Sequence, residues 1–320
     1  MNANACLVLS LIALACEARP RLTLNFVGDV LLAEQPGETL KRGGDPFAHV
    51  ARHLAEADLS VGNLECAVAS VGTAVPKMYT FRADPRVLPT LRRHLHAVSL
   101  ANNHSGDFGP AALQETMSGL RAAGVPFFGA GENLSQAHRA LLLEANGLRV
   151  GLLGYDEFFP RWFEADTETA GAAWSEDEQV VLDIATARRR GADVVIPFMH
   201  WGWENETEPS VRQRTLARRM IDAGADAVVG AHPHVTQGVD YYRGKPIIYS
   251  LGNFVFDLLD NDNQRLGWIL RLELDQLGIA RWSTAVVRID DQGTPWLLPD
   301  AESPCGARGF SSVGSCRGAR

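Results

Sequence analysis

Three things are scarce in this sequence of 320 residues, and each scarcity removes a class of protein. Long apolar runs come first. The one near the N-terminus extends from Ala5 to Cys16 and stops at a polar break, short of the roughly 20 residues that a spanning helix needs, and no transmembrane span follows it. Positive charge is in deficit: the formal net charge is −8 and the pI about 5.6, so the basic footprint that nucleic acid or an anionic membrane demands is missing. Five cysteines, Cys6, Cys16, Cys66, Cys305 and Cys316, are too few and too scattered for a disulfide framework. No low-complexity block or Pro/Gly linker divides the chain before residue 301.

What is present is enough apolar material, 46% of residues, to bury a full core. Residues 1–20 read as a signal-like segment: an apolar stretch with Ala13-Leu14-Ala15 before Cys16, though without a basic start. Export to the periplasm or cell envelope is the expectation, with a cytoplasmic protein as the alternative. Cys16 as a lipid-bearing cysteine ranks below simple secretion, because Ala13 and Leu14 match a lipobox poorly. Residues 21–300 read as one domain. The Gly/Ser-rich stretch 301–320 has little to pack and reads as a disordered tail, with a Cys305–Cys316 disulfide as the alternative in an oxidising compartment.

Within the domain, buried-looking strands alternate with amphipathic helices, and each strand ends in polar residues. Leu22 to Val27 leads to Gly28-Asp29, and DLSVGNLE delivers Asn63 and Glu65. AVSLANNHSGDFG delivers Asn102, Asn103, His104 and Asp107, and ADVVIPFMH ends at His200. Asp45-Pro46 and Asp84-Pro85 supply caps and first-turn prolines for helices, Gly124 a C-cap, and Asn146-Gly147 a hairpin turn. The segment from Asp156 to Ser175 has no clean period, and its aromatics suggest a packed loop or lid. Later strands have antiparallel character, and the whole is an α/β pattern.

GADAVVGAHPHV, Gly224 to Val235, ends in two histidines one residue apart. In an extended segment His232 and His234 would leave the same face and enter one pocket. Asp29, Asn63, Glu65, Asn103, His104, His200, His232 and His234 all fall just past strands, where α/β sheets build sites. Carboxylates, imidazoles and an amide oxygen are together a ligand set for Zn, Mn or Fe. Asp107 either orients His104 or caps the following helix. Arg82 and Lys77 are candidates to hold an anionic substrate, with solvated surface charge the safer reading of Lys77. Glu204 and Glu206 would repel phosphate or coordinate a cation. Trp201 and Trp203 read as packing around a ligand, with a substrate wall as the alternative, and the arginines 188–190 as complement to a helix dipole.

The stretches FVGDVLLAE, DLSVGNLECAV, VSLANNHSGDFG, PFMHWGWENE, the long block from Gly224 to Asp257 and, more weakly, TFRADP at Thr80 to Pro85 resemble CapA-type poly-γ-glutamate capsule biosynthesis proteins (the PGA_cap family), relatives of calcineurin-like metallophosphoesterases. The resemblance runs from about Thr23 to Asp257. It implies an αββα sandwich with a divalent metal centre of one or two ions at the loop ends. Asp29 would ligate the first metal together with His234, Glu65 or Asn63 would bridge, and Asn103, His200 and His232 would hold the second. His104 would face the scissile bond. Two positions depart from the broader phosphoesterase pattern: Leu31 stands where a histidine is expected and Asn63 where an aspartate is, which points to a single-metal or asymmetric centre.

A catalytic site of this kind would activate water against a phosphoryl or acyl centre, with His104 protonating the leaving group and Arg82 binding substrate. The resemblance sets the protein in envelope-polymer biosynthesis, with an anionic polymer or phosphoester as substrate and a polymer-synthesis complex as partner. The competing expectation is a non-catalytic assembly or export component with a structural or vestigial metal site. An atypical cytoplasmic phosphatase is the third.

Overall fold

The strand Leu22–Val30 has every side occupied, and the rest of the molecule is arranged around it. In this computed structural model, which describes residues 20–317, it pairs in parallel with Leu59–Leu64 and antiparallel with Leu266–Asp275. Leu22, Leu24 and Phe26 face one buried cluster, while Val27 and Val30 face another. The change of face comes at a register shift between Phe26 and Asp29. Gly28 sits at that shift pressed against a neighbouring backbone, where a Cβ would lie 1.8 Å from the Gly252 carbonyl oxygen. Only glycine permits the approach, which seats Asn253 beside Asp29 in parallel register.

Two sheets stack face to face. The larger has ten strands, ordered 314–317, 302–307, 278–289, 266–275, 22–30, 59–64, 97–99 and 127–128, with two short strands, 253–255 and 295–297, paired off that path. The smaller has six, ordered 236–242, 245–251, 228–231, 194–200, 148–156 and 141–145. Between them lies a core of side chains from both inner faces, including Phe26 and Phe198, whose rings meet edge to face at 5.5 Å. A second core packs the larger sheet against helices that include Leu88–His94 and Gly109–Ala123. A third packs the smaller sheet against Asp177–Arg189 and Val211–Asp222. Three cores separate four layers, so the chain forms the αββα sandwich that the resemblance implies.

Local signals explain most element ends. Helix Gly109–Ala123 stops at Gly124 in the left-handed conformation, φ 69°. Helix Val211–Asp222 starts with a capping box between Ser210 and Gln213. Asn146 and Gly147, both at positive φ, turn the hairpin between 141–145 and 148–156. The helix expected from Pro46 begins only at Ala51, because the Asp45 carboxylate closes a turn onto the Phe47 amide at 3.0 Å and is drawn to His94 at 2.8 Å. Arg188 does more than complement a dipole: it donates to the Asp193 and Gly224 carbonyls and pairs with Asp226.

The expected disordered tail is a correction. Glu302–Ala307 and Gly314–Arg317 extend the larger sheet beyond Gly278–Ile289, and a Cys305–Cys316 disulfide joins them. The reason lies in unpaired backbone at the edge of 278–289, which a following segment satisfies whatever its side chains. The signal-like segment 1–20 lies outside the described residues except for Pro20. Among the described residues no helix is long and apolar enough to cross a membrane.

Phe26→Ala removes a fully buried ring from the inter-sheet core. The expected cost is about 3–5 kcal/mol, read as a lower midpoint in denaturant with an unchanged slope.

Candidate metal centre

All the parallel strands of both sheets point their carboxyl ends the same way, and there the polar tips converge. Asp29, Glu65, His200 and His232 are almost completely buried, and Asn63, Asn103, His104 and His234 nearly so. The Asp29 carboxylate accepts from the Asn63 amide at 2.8 Å and from the His232 backbone N–H at 3.3 Å. Asn63 also approaches His200 Nδ1 at 3.2 Å, while its own carbonyl accepts from Asn102 at 2.9 Å. Asn63 therefore turns its nitrogen, not its oxygen, towards the centre and joins Asp29 to His200. His200 Nε2 lies 2.8 Å from Asn103 Oδ1.

Around Glu65 the geometry is of another kind. Three imidazole Nε2 atoms, from His200, His234 and His104, stand 3.7, 3.9 and 4.0 Å from the single oxygen Glu65 Oε1. These distances are too long for hydrogen bonds. Neither Glu65 oxygen nor either His232 ring nitrogen has a hydrogen-bond partner, although all four are buried. Buried polar atoms are paired almost without exception, so four unpaired atoms at one point need an occupant. Ligands about 2.1 Å from a common ion stand roughly 3 to 4 Å apart, so the residues fit a divalent cation. The groupings Glu65, His232, His234 and Asp29, Glu65, His200 each bring one ligand atom per residue within 4.8 Å of one another.

The histidine pair reaches this point by a route that strand alternation does not describe. The strand ends at Ala231, and His232 and His234 take left-handed backbone angles, φ 98° and 58°. For residues bearing a Cβ this conformation is strained, and it persists where surrounding contacts impose it. His234 Nδ1 is fixed by Asn253 Oδ1 at 2.8 Å and Asp29 Oδ2 at 3.3 Å, leaving Nε2 to face Glu65. His104 is oriented likewise: Asp107 Oδ2 lies 2.8 Å from Nδ1. Asp107 also accepts from the Phe81 amide at 2.6 Å, so its work is positioning His104 rather than capping a helix.

Burial sets the charges. It pushes the His104 imidazole down to about 4 against the pull of Asp107, and His232 down to about 3, with His234 adding to the effect. His200 is lowered well below the ordinary range for the same reason. Burial raises the Glu65 carboxyl well above its usual range, and the adjacent Asp29 charge raises it further. Burial would raise Asp29 too, but its contacts with His234 and Asn63 outweigh that and hold it low. His234 moves up, Asp29 overcoming the opposing effect of burial.

Arg82 does not join the centre. Its guanidinium lies over the Phe108 ring at 4.3 Å, reaches the Val71 and Gly72 carbonyls, and lines a separate cleft with Glu38, Lys41 and Asp84. The cation at the site is Lys77, expected at the surface. It pairs with Asp107 Oδ1 at 2.6 Å, donates to the Asn103 carbonyl at 2.8 Å and lies 3.2 Å from His104 Nδ1. No periodicity marks Lys77, because its loop has none. Asn253 was equally invisible as an individual residue, although it sits inside the long specific block and just past a strand. Trp201 is packing, its indole N–H donating to the Tyr249 carbonyl at 2.9 Å, whereas Trp203 is exposed. Leu31 is fully buried in the helix-side core.

A two-sheet sandwich that gathers carboxylates, imidazoles and amides at the shared strand ends defines a calcineurin-like metallophosphoesterase-type fold with a candidate metal centre. Within that class, the chain belongs to the family described as bacterial capsule synthesis protein PGA_cap, which it matches over residues 23–258. It is 34% identical over 247 residues to the capsule biosynthesis protein CapA of Bacillus anthracis, covering 74% of this chain and 60% of that protein. It is 32% identical over 244 residues to the PGA biosynthesis protein CapA of Bacillus subtilis (strain 168), covering 74% and 63%. The chain thus spans somewhat under two thirds of these relatives. A hypothetical protein from Thermus thermophilus shares the fold, with a TM-score of 0.54 at 17% identity over 83% of this chain and 98% of that one.

The metal-free protein has a signed pH response. His104, His200 and His232 have depressed values in the fold, so each favours the native state increasingly as pH rises to about 6.5, where the unfolded imidazole has lost its proton. Glu65 and His234 have raised values, so their contributions are present at low pH and are lost as pH rises through the folded-state values. The melting temperature is expected to climb from pH 4 to about 6.5 and to decline above it. Added Mn or Zn should abolish that decline, which differential scanning fluorimetry at each pH would show.

Proposed function

We propose that this chain is an exported, metal-dependent hydrolase of bacterial envelope-polymer biosynthesis that cleaves a phosphoester or an acyl or amide bond. The observation that carries the reading is the group of three Nε2 atoms facing the partnerless Glu65 carboxylate. Asp29, Glu65, Asn103, His200, His232 and His234 would hold one or two divalent ions. When bound, Mn, Zn or Fe supplies Lewis acidity and activates water at neutral pH. Asn63 and Asn253 keep the ligands in register. With Nδ1 held by Asp107, His104 handles a proton at Nε2, taking one up as negative charge enters and passing it to the leaving group. Lys77, paired with Asp107 and bonded to the Asn103 carbonyl, braces that pair beside the centre.

The printed descriptions of the relatives, capsule biosynthesis and PGA biosynthesis, support the biological setting and a polymer-synthesis complex as partner. The signal-like segment and the Cys305–Cys316 disulfide support export to an oxidising compartment. A second reading, a non-catalytic assembly component with a structural metal, is favoured by Leu31 in the core and by the nitrogen that Asn63 presents to the centre.

Bound metal and turnover on a panel of phosphoesters and poly-γ-glutamate would be measured for the native protein, Asp29→Ala and His232→Ala. Both variants should lose metal; full occupancy in both would overturn the ligand assignment. His104→Ala should keep its metal and lose about 10²–10⁴-fold in turnover. A native protein that holds metal and turns over nothing on the panel would transfer the reading to the assembly role.

A further inference from the structure

Around the mouth of the centre, large apolar side chains stand in solvent. Met78 is 87% exposed, Trp203 69%, Phe159 64%, Trp162 59% and Tyr79 53%. Soluble proteins rarely gather such side chains at one place without using them. Met78, Tyr79, Phe159 and Trp162 line one cavity of about 300 Å³ whose floor includes Asn103 and His104. Trp203 continues the apolar surface beyond Phe159 in an adjoining cleft. The platform is braced from behind: Phe159 meets the buried Trp174 edge to face at 4.8 Å, and Arg161 covers Trp174 at 4.6 Å. Phe163 anchors the same loop against Gly106, where a Cβ would lie 2.0 Å from its ring.

The arginines of this rim are already paired, Arg161 with Glu164 and Glu176, and Arg212 with Glu157 and Asp177. Glu204 lines the cavity itself, and Glu206 is exposed on the same loop. Lys77, the cation in the cavity, already pairs with Asp107. Repeating carboxylates passing over the rim would meet Glu204 without a free cation to balance them. A neutral sugar ring meets both features, since its C–H face lies on an aromatic ring and its hydroxyls donate to a carboxylate.

We propose that the mouth carries a subsite for a neutral saccharide ring, built from Trp162, Phe159 and Tyr79 with Glu204 as hydroxyl acceptor. This rests on the reading of the centre as a hydrolytic site and adds that the group beside the cleaved bond is a sugar rather than a glutamyl unit.

The test is binding to the metal-free full chain, which separates it from turnover. Maltotriose, chitotriose, a γ-linked glutamate oligomer and phenyl phosphate would be titrated by calorimetry and tryptophan fluorescence. A neutral oligosaccharide should bind and perturb the emission. Trp162→Ala should weaken it about five- to tenfold, with Trp162→Phe close to native. Glu204→Gln should weaken sugar binding and should not strengthen it. Binding of the glutamate oligomer or phenyl phosphate without the sugars would overturn the proposal, as would sugar binding unchanged in Trp162→Ala or no binding at all. Loss of turnover in Asp29→Ala with sugar binding intact would show that the two readings stand apart.

Discussion

Glu65 is an ionisable side chain buried in the sandwich with no hydrogen-bond partner, and the surrounding architecture makes that arrangement tolerable. An isolated buried carboxylate is expensive, and a protein keeps one only where something compensates it. Here the compensation is prepared by neighbours held rigid by their own contacts. Asp107, Asn253 and Asn63 each fix a nitrogen of a histidine, so that Nε2 of His104, His200 and His234 converge on one carboxylate oxygen. The candidate ligands come from both sheets, Asp29 and Glu65 at the ends of strands of one and His200 and His232 at the ends of strands of the other. The inter-sheet core that packs Phe26 on Phe198 is therefore also what sets the dimensions of the centre.

Strain is concentrated at the same place. His232 and His234 hold left-handed backbone angles on either side of Pro233, and Gly28 admits the Gly252 backbone at a distance no side chain allows. These features serve one end: bringing Asn253, His234 and Asp29 into mutual contact. Local rules are broken where a site is built and obeyed elsewhere, as the caps at Ser210 and Gly124 show.

Much of this is legible in the order of residues along the chain. Apolar runs ending in polar tips locate the strands and the converging polar groups together, because a strand's carboxyl end must release its chain into a loop at the sheet edge. Asp29, Glu65, Asn103, His200, His232 and His234 all followed from that rule. Lys77 and Asn253 did not, since one lies in an aperiodic loop and the other gains its role from a backbone approach that only Gly28 permits. Arg82 lies apart for the same reason: a charge within a recognised stretch carries no direction. The C-terminal strands were hidden because backbone pairing at a sheet edge asks little of side chains.

The layered α/β class, the family and the inventory of polar groups at the strand ends are all written in the order of residues, for these depend on periodicity and local order along the chain. Tertiary structure alone decided which way each polar group faces. It turned the Asn63 nitrogen inward, sent Arg82 to a separate cleft, drew Lys77 beside His104 and set an aromatic rim above the centre. Orientation depends on contacts between segments far apart in the chain, and those distances come into being only when the two sheets close on each other.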